Sequence, residues 1–239
     1  MALLWVAHAS RVLAKASGIR ELSFSIRGVA RASNAQAKFV STGRRNQHAR
    51  GVRYPEIVRI MVMQIWTIGH SIRTIDEFIS LLEKNGVKLL VDVRSLPGSN
   101  RYPQFNKEAL VESLNTNGIR YEHFPELGGR RKPKPDSRNT AWRNASFRAY
   151  ADYMETEEFH KGVERLLALA GEPGPAAIMC AEAVWWRCHR GLISDFLKVR
   201  GIEVRHILDA NKTEPHPFTS AARIVDGALS YASEADRLI

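Results

Sequence analysis

The stretch "VKLLVDVR", residues 87–94, sets the fold class. A strand with one wet face alternates apolar and polar residues. Here Leu89, Leu90 and Val91 follow one another, so both faces need cover, as in a parallel sheet with helices on each side. The flanks agree. Upstream, Thr74-Ile75-Asp76-Glu77 has the form of a capping box and opens a helix carrying Phe78, Leu81 and Leu82 on one face, ended by Gly86. Before it, "IWTIGH" reads as another buried strand. Downstream, Asn106 is placed to cap a helix with Leu110, Val111 and Leu114, stopped by Gly118, and "IRYEHFP" reads as a short strand.

The alternation continues. Residues 128–145 form a polar, Pro-rich loop. Helices follow over about 146–154 and from Thr156 onward, then the strand "PAAIMCAE", a helix from Cys188 to Arg200 closed by Gly201, and the strand "IEVRHIL". Strand and helix in turn imply an α/β fold: a single layered domain over 62–218, with a mostly parallel sheet covered by helices. Residues 219–239 read as a C-terminal tail in which "RIVDGALSY" offers an Asp-Gly hairpin.

Charge separates the first quarter from the rest. The chain has 239 residues and a formal charge of +10. Residues 1–60 hold eleven Lys and Arg against Glu21 and Glu56, whereas the remainder holds 24 cations and 23 anions. A duplex-binding surface argued from net charge therefore fails for the body. Residues 1–61 read as a basic, disordered extension. A targeting-like segment, a basic arm, and upstream sequence ahead of a start at Met61 or Met63 are the competing accounts. No apolar run is long enough to span a bilayer. Two cysteines cannot make a disulfide framework, which points to a reducing cytoplasm.

Ligands in open α/β sheets bind beyond the carboxyl ends of the strands. Each expected strand end delivers chemistry: His70 and Ser71; Asp92, Arg94 and Ser95; Tyr121 within and Glu122 and His123 at the end of the third; Cys180 and Glu182; His206 and Asp209. "CAEAVWWRCHRG", residues 180–191, adds Cys188, His189 and Arg190 at the start of the next helix, where the helix dipole lowers a thiol pKa. Arg130 lies in the polar loop beside this rim. Each has a plainer reading: Asp92 and Arg94 as an ion pair, His70 as a structural histidine, the tryptophans as packing, the basic loop as a solvated one, and the two sulfurs as inert buried thiols.

Taken together, "TIGHS", "DVRSLPGSNRYPQFN", "YEHFPELGGRR", "CAEAVWWRCHR" and "VRHI" resemble the bacterial family called domain of unknown function 488, over about residues 64–218. The resemblance implies an α/β fold and no particular reaction. A looser similarity is to rhodanese-like domains, which also carry an Asp-x-Arg strand end and a strand-end cysteine. The longer Ala181–Arg187 stretch departs from their compact loop and puts sulfur transfer in doubt.

The functional expectation is a small cytosolic enzyme acting on an anionic substrate, phosphate- or nucleotide-bearing, or a nucleic-acid end. Cys180, Cys188, His189, Glu182, His70 and Asp92 are the candidate catalytic groups. Arg94, Ser95, Arg190, Tyr121, His206 and Arg130 are the candidates for substrate binding. Two other classes compete: a zinc-binding protein using Cys180, Cys188 and His189, and a non-catalytic nucleic-acid-binding module. No cofactor or protein partner is implied, and no membrane association.

Overall fold

Both faces of "VKLLVDVR" are covered in the computed structural model, which describes residues 63–172 and 174–233. The expectation for residues 1–61 lies outside the described residues. Eight strands are seen among those described: β1 (Gln64–Gly69), β2 (Leu89–Asp92), β3 (Arg120–His123), β4 (Ala176–Cys180), β5 (Glu203–Asp209), β6 (Lys212–Pro215), β7 (Arg223–Val225) and β8 (Ala228–Ser230). Five α-helices accompany them: α1 (Ile75–Lys84), α2 (Lys107–Thr116), α3 (Ala145–Met154), α4 (Glu157–Ala170) and α5 (Arg190–Val199). The main sheet has the order β3-β2-β4-β1-β5-β6. Its first five strands are parallel, and β6 pairs antiparallel with β5. The chain folds as a single α/β domain with a mostly parallel sheet.

Side-chain parity divides the core in two. Leu89, Val91, Ala176, Ile178, Ile65 and Val204 pack against Phe159, Val163, Leu192 and Leu197 of α4 and α5, with Tyr150 of α3. Leu90, Ala177, Met179, Ile68 and Ile207 pack against Phe78, Leu82, Leu110 and Leu114 of α1 and α2. Successive residues of a strand face opposite ways, so one strand feeds both cores. The same parity assigns polar residues to a side. Thr67, Cys180 and His206 belong to the α3–α5 side; Asp92 belongs to the α1–α2 side.

Local signals account for most boundaries. Thr74 caps α1, and both hydrogen bonds of the capping box are present. Thr156 caps α4. Asn106 stands at the cap of α2, but its side chain does not bond to the helix. Its Oδ1 instead accepts from the Ser99 N–H at 2.6 Å and ties down the loop after β2. The edge strand β6 was not expected: "KTEP" is polar and ends in proline, the composition an edge tolerates and apolar patterning cannot detect. The expected Asp-Gly hairpin is β7–β8, turning on Asp226 (φ 51°) and Gly227 (φ 78°), the positive values a two-residue hairpin turn requires. The segment around it is packed into the molecule, with Ala221, Ala222 and Tyr231 buried in the α3–α5 core.

Ile178 sits mid-strand in β4, flanked by β1 and β2 and without solvent exposure. Ile178→Ala is expected to cost about 2–5 kcal/mol of stability, the range for a buried Ile truncated to Ala, measured as a lowered urea midpoint at unchanged slope.

Candidate functional site

A cavity of about 800 Å³ opens beyond the carboxyl ends of the parallel strands. Its walls come from the segment after β1 (His70–Ile72), the loop after β2 (Arg94–Tyr102), Gly129 and Arg130, the first turn of α3 (Ser146, Phe147), and the segment from Cys180 to His189. The lining cations are Arg94, Arg101, Arg130 and Arg187, against the single acid Glu182. This surplus and the hydroxyls of Ser71, Ser95, Ser99 and Ser146 suit an anion. Ile72 and Leu96, 75% and 67% exposed, add apolar surface at the wall.

The floor on the α3–α5 side holds sulfur. Cys180 ends β4. Cys188 lies just outside α5, in extended backbone (φ −131°, ψ 147°), so the helix starts at Arg190 rather than at Cys188 as expected. His189 Nδ1 lies 3.6 Å from Cys188 Sγ and 4.0 Å from Cys180 Sγ. Its ring is wedged between Tyr150, centroids 5.0 Å apart, and the backbone of Gly129, where a Cβ would strike the imidazole. Its Nε2 is buried without a partner. Burial pushes the Cys188 thiol up, but a hydrogen bond from Cys180 and the charges of His189 and Arg190 outweigh it and hold Cys188 well below the usual thiol range. The thiol of Cys180 is driven well above that range by its hydrogen bond to Cys188 and by burial. The two sulfurs thus drive one another in opposite directions. Both cysteines are free.

The α1–α2 side holds an ion pair. Arg94 donates from Nε to Asp92 Oδ1 at 2.9 Å and from Nη2 to Oδ2 at 2.6 Å. Asp92 also accepts from Tyr121 Oη at 2.8 Å and from the Arg94 N–H at 3.0 Å. With no solvent exposure, its carboxylate is committed to this pair. Arg94 keeps one face on the cavity and approaches His70, with Nη1 to Nε2 at 3.4 Å. His70 donates from Nδ1 to the Ser71 carbonyl and stacks on Phe105, centroids 4.2 Å apart. Burial and Arg94 lower its pKa to about 4, so it is neutral at neutral pH. Ser71, on the cavity wall, has φ 52°, an uncommon value outside glycine.

Of the expected site residues, the cavity gathers Cys180, Cys188, His189, Glu182, His70, Arg94, Ser95 and Arg130. Four are not among its lining residues. Asp92 and Tyr121 lie behind Arg94. Tyr121 is a phenol held protonated by burial and by Asp92. Arg190 is only 1% exposed; its Nη2 donates to the Glu182 carbonyl at 2.5 Å, so it braces the loop from inside. His206 is buried against Trp185, rings stacked at 4.6 Å. Trp185 is packing, as its plainer reading had it, while Trp186 is half exposed. Gly69 completes the brace, since any Cβ there would collide with the Glu182 carbonyl.

Sequence reading missed Arg101 and Arg187, whose only signal was their place in segments that follow strand ends. It also missed Thr67, Asp195 and His216. Asp195 did carry a signal: an acid within the apolar run "GLISDFL" of α5.

Comparison with known families decides the relationship. The family model for Domain of unknown function DUF488 matches residues 74–197. The chain belongs to that family. The match takes in the loop after β2, the polar loop and the whole Cys180–Arg190 segment, but not "TIGHS" or "VRHI", and it gives no support to the looser likeness to rhodanese-like domains. No match is found among curated proteins, and none among solved structures. Among the described residues, no helix is long and apolar enough to cross a membrane.

Two buried histidines give the fold a pH dependence with a definite sign. His70 and His206 have native pKa values lowered from 6.5 to about 4 and about 2. The unfolded chain therefore binds protons at higher pH than the native one, and stability is lost as pH falls below about 6.5. Unfolding free energies from urea titration are expected to drop steadily from pH 6.5 to 4.5, by up to about 1.4 kcal/mol per pH unit for each histidine. His206→Gln should flatten that slope relative to wild type.

Proposed function

We propose that this DUF488 member is an enzyme that acts on an anionic substrate, phosphate- or nucleotide-bearing, through a cysteine thiolate. The observation that carries the reading is the pair of sulfurs, both facing His189 Nδ1, at the floor of an arginine-lined cavity. A thiolate is the reactive form of cysteine. Cys188 is the nucleophile, kept charged by the S–H of Cys180 and by His189. Cys180, still protonated, is the acid nearest to a departing group. Arg94 and Arg130 bind the anion, with Arg101, Arg187 and the hydroxyl of Ser95, and neutral His70 fixes the exposed edge of Arg94. Glu182 stands at the lip as the one carboxylate available to a substrate hydroxyl or amine. A cavity of about 800 Å³ is far larger than inorganic phosphate and of a size for a nucleotide or a nucleic-acid end. The free thiols fit a reducing compartment such as the cytoplasm.

A second reading is favoured by one observation. Cys180 Sγ, Cys188 Sγ and His189 Nδ1 all lie within 4.8 Å of one another. Ligand atoms around tetrahedral zinc stand about 3.5–3.8 Å apart for bonds of about 2.0–2.3 Å, so small movements would seat a zinc ion with its fourth position towards the cavity. Elemental analysis of the purified protein separates the readings. Stoichiometric zinc replaces the thiolate mechanism with a metal one; its absence after growth and purification with zinc removes the second reading.

The thiolate reading predicts that iodoacetamide labels Cys188 with a pH midpoint clearly below the free-thiol value of about 8.5. Cys188→Ser should abolish the fast phase. Cys180→Ser should move the midpoint upward, because the S–H donor is gone. Equal, slow labelling of both cysteines with a midpoint at or above 8.5 would overturn it.

A further inference from the structure

Arg190 and Asp195 pose the same physical problem from opposite ends of one helix turn. Arg190 is 1% exposed and Asp195 is fully buried. Among the described residues no carboxylate pairs with Arg190 and no Lys or Arg pairs with Asp195. An isolated buried charge costs several kcal/mol, so each needs compensation from polar groups. Three side chains from three elements lie between them.

Arg190 Nη1 donates to Thr67 Oγ1 at 3.4 Å. Thr67 Oγ1 meets His206 Nδ1 at 2.7 Å. His206 Nε2 meets His216 Nδ1 at 2.9 Å. His216 Nε2 meets Asp195 Oδ1 at 2.9 Å. Guanidinium can only donate and carboxylate can only accept, so Arg190 donates into Thr67 and His216 Nε2 donates to Asp195. Between them, either Thr67 passes its hydroxyl proton to His206 and His206 its Nε2–H to His216, or His216 gives its Nδ1–H to His206 and His206 its Nδ1–H to Thr67, whose oxygen has two lone pairs. Both arrangements keep His206 neutral, and burial with the neighbouring His216 and Arg190 holds its pKa down to about 2. The remaining valences of Asp195 accept from the Thr219 N–H and hydroxyl at 2.9 and 2.5 Å and from Tyr231 Oη at 2.8 Å.

The cationic end is joined to the cavity. Arg190 Nη2 holds the Glu182 carbonyl, and the Glu182 N–H supports Cys180. The titratable groups facing the two sulfurs are His189, Arg190, Tyr150 and, towards Cys180, Arg94. Of these, Arg190 is the one tied to groups remote from the cavity, on β1, β5 and the second turn of α5.

We infer that Thr67, His206, His216 and Asp195 form one continuous hydrogen-bond chain that positions Arg190 and, through the Glu182 carbonyl that Arg190 holds, the loop that brings Cys188 back beside Cys180, although none of the four lines the cavity. These four are positioning residues, acting through Arg190.

The test is a double-mutant cycle in the full chain, read as hydrogen exchange of the amides of residues 182–188. Thr67→Val breaks the chain at its joint while keeping shape and leaving both charges in place; it should speed exchange of that loop at least threefold. Thr67→Ser keeps the hydroxyl and should restore wild-type protection, which a purely structural role for the side chain would not require. Asp195→Asn should speed exchange in the wild-type background and by less than half as much in the Thr67→Val background. Additive effects would overturn the inference, as would unchanged protection in Thr67→Val. If the variants do not fold, nitrogen NMR of the wild-type imidazoles still decides: His206 should show one protonated and one bare ring nitrogen, with coupling across the hydrogen bond to His216, and a doubly protonated His206 or the lack of that coupling would refute the chain.

Discussion

Arg190 sits where water cannot reach it, and a guanidinium has five N–H groups to satisfy. The protein supplies carbonyls of the loop it leads out of, those of Glu182 and Ala183, and the hydroxyl of Thr67 on the central strand β1. One side chain therefore joins the start of α5, the end of β4 and the middle of β1. The tightness of the join explains Gly69, which has no room for a Cβ beside the Glu182 carbonyl. It also explains why the segment between the two cysteines runs as a short 3-10 turn over Trp185–Arg187 and brings Cys188 back beside Cys180. The two sulfurs meet because the loop between them is braced from inside.

The Asp92–Arg94 pair works in the same way on the other face. Its carboxylate is spent on Arg94 and Tyr121, and Arg94 reaches on to the Phe105 carbonyl and His70. This fixes the mouth of β2 and gives the cavity a cation with one donor-bearing edge free. The rim is thus built from two buried basic groups of different kinds. Arg94 has its own carboxylate and faces the cavity. Arg190 has none and faces inward.

Much of this was legible in sequence. Consecutive apolar residues at Leu89–Val91 told of cover on both faces, the Thr74–Glu77 box marked α1, and the Asp226-Gly227 pair marked the hairpin. Reading strand ends for polar residues identified the rim, because parallel strands of similar direction must deliver their carboxyl ends together. What could not be read was which way each residue points once there. Asp92, Tyr121, Arg190 and His206 are all at or near the rim in sequence, yet parity and burial turn them behind it. The partners of His206 were hidden for another reason. His216 follows the polar edge strand β6, which apolar patterning does not register, and its pairing with Asp195 joins residues that only the fold makes neighbours.

Strand parity also has a bearing on what changes this fold can absorb. In β4, Met179 faces the α1–α2 core and Cys180 the α3–α5 core, and Gly69 of β1 is the register partner of Cys180. Insertion or deletion of a single residue within β4 would exchange the two, presenting a thioether to His189 and burying the thiol beside Leu90. Stability could be recovered by repacking, since methionine and cysteine are both adaptable in a core. The sulfur pair could not. The alignment of two neighbouring strands is in this sense part of the sulfur site, as is the length of the braced loop that brings Cys188 back beside Cys180.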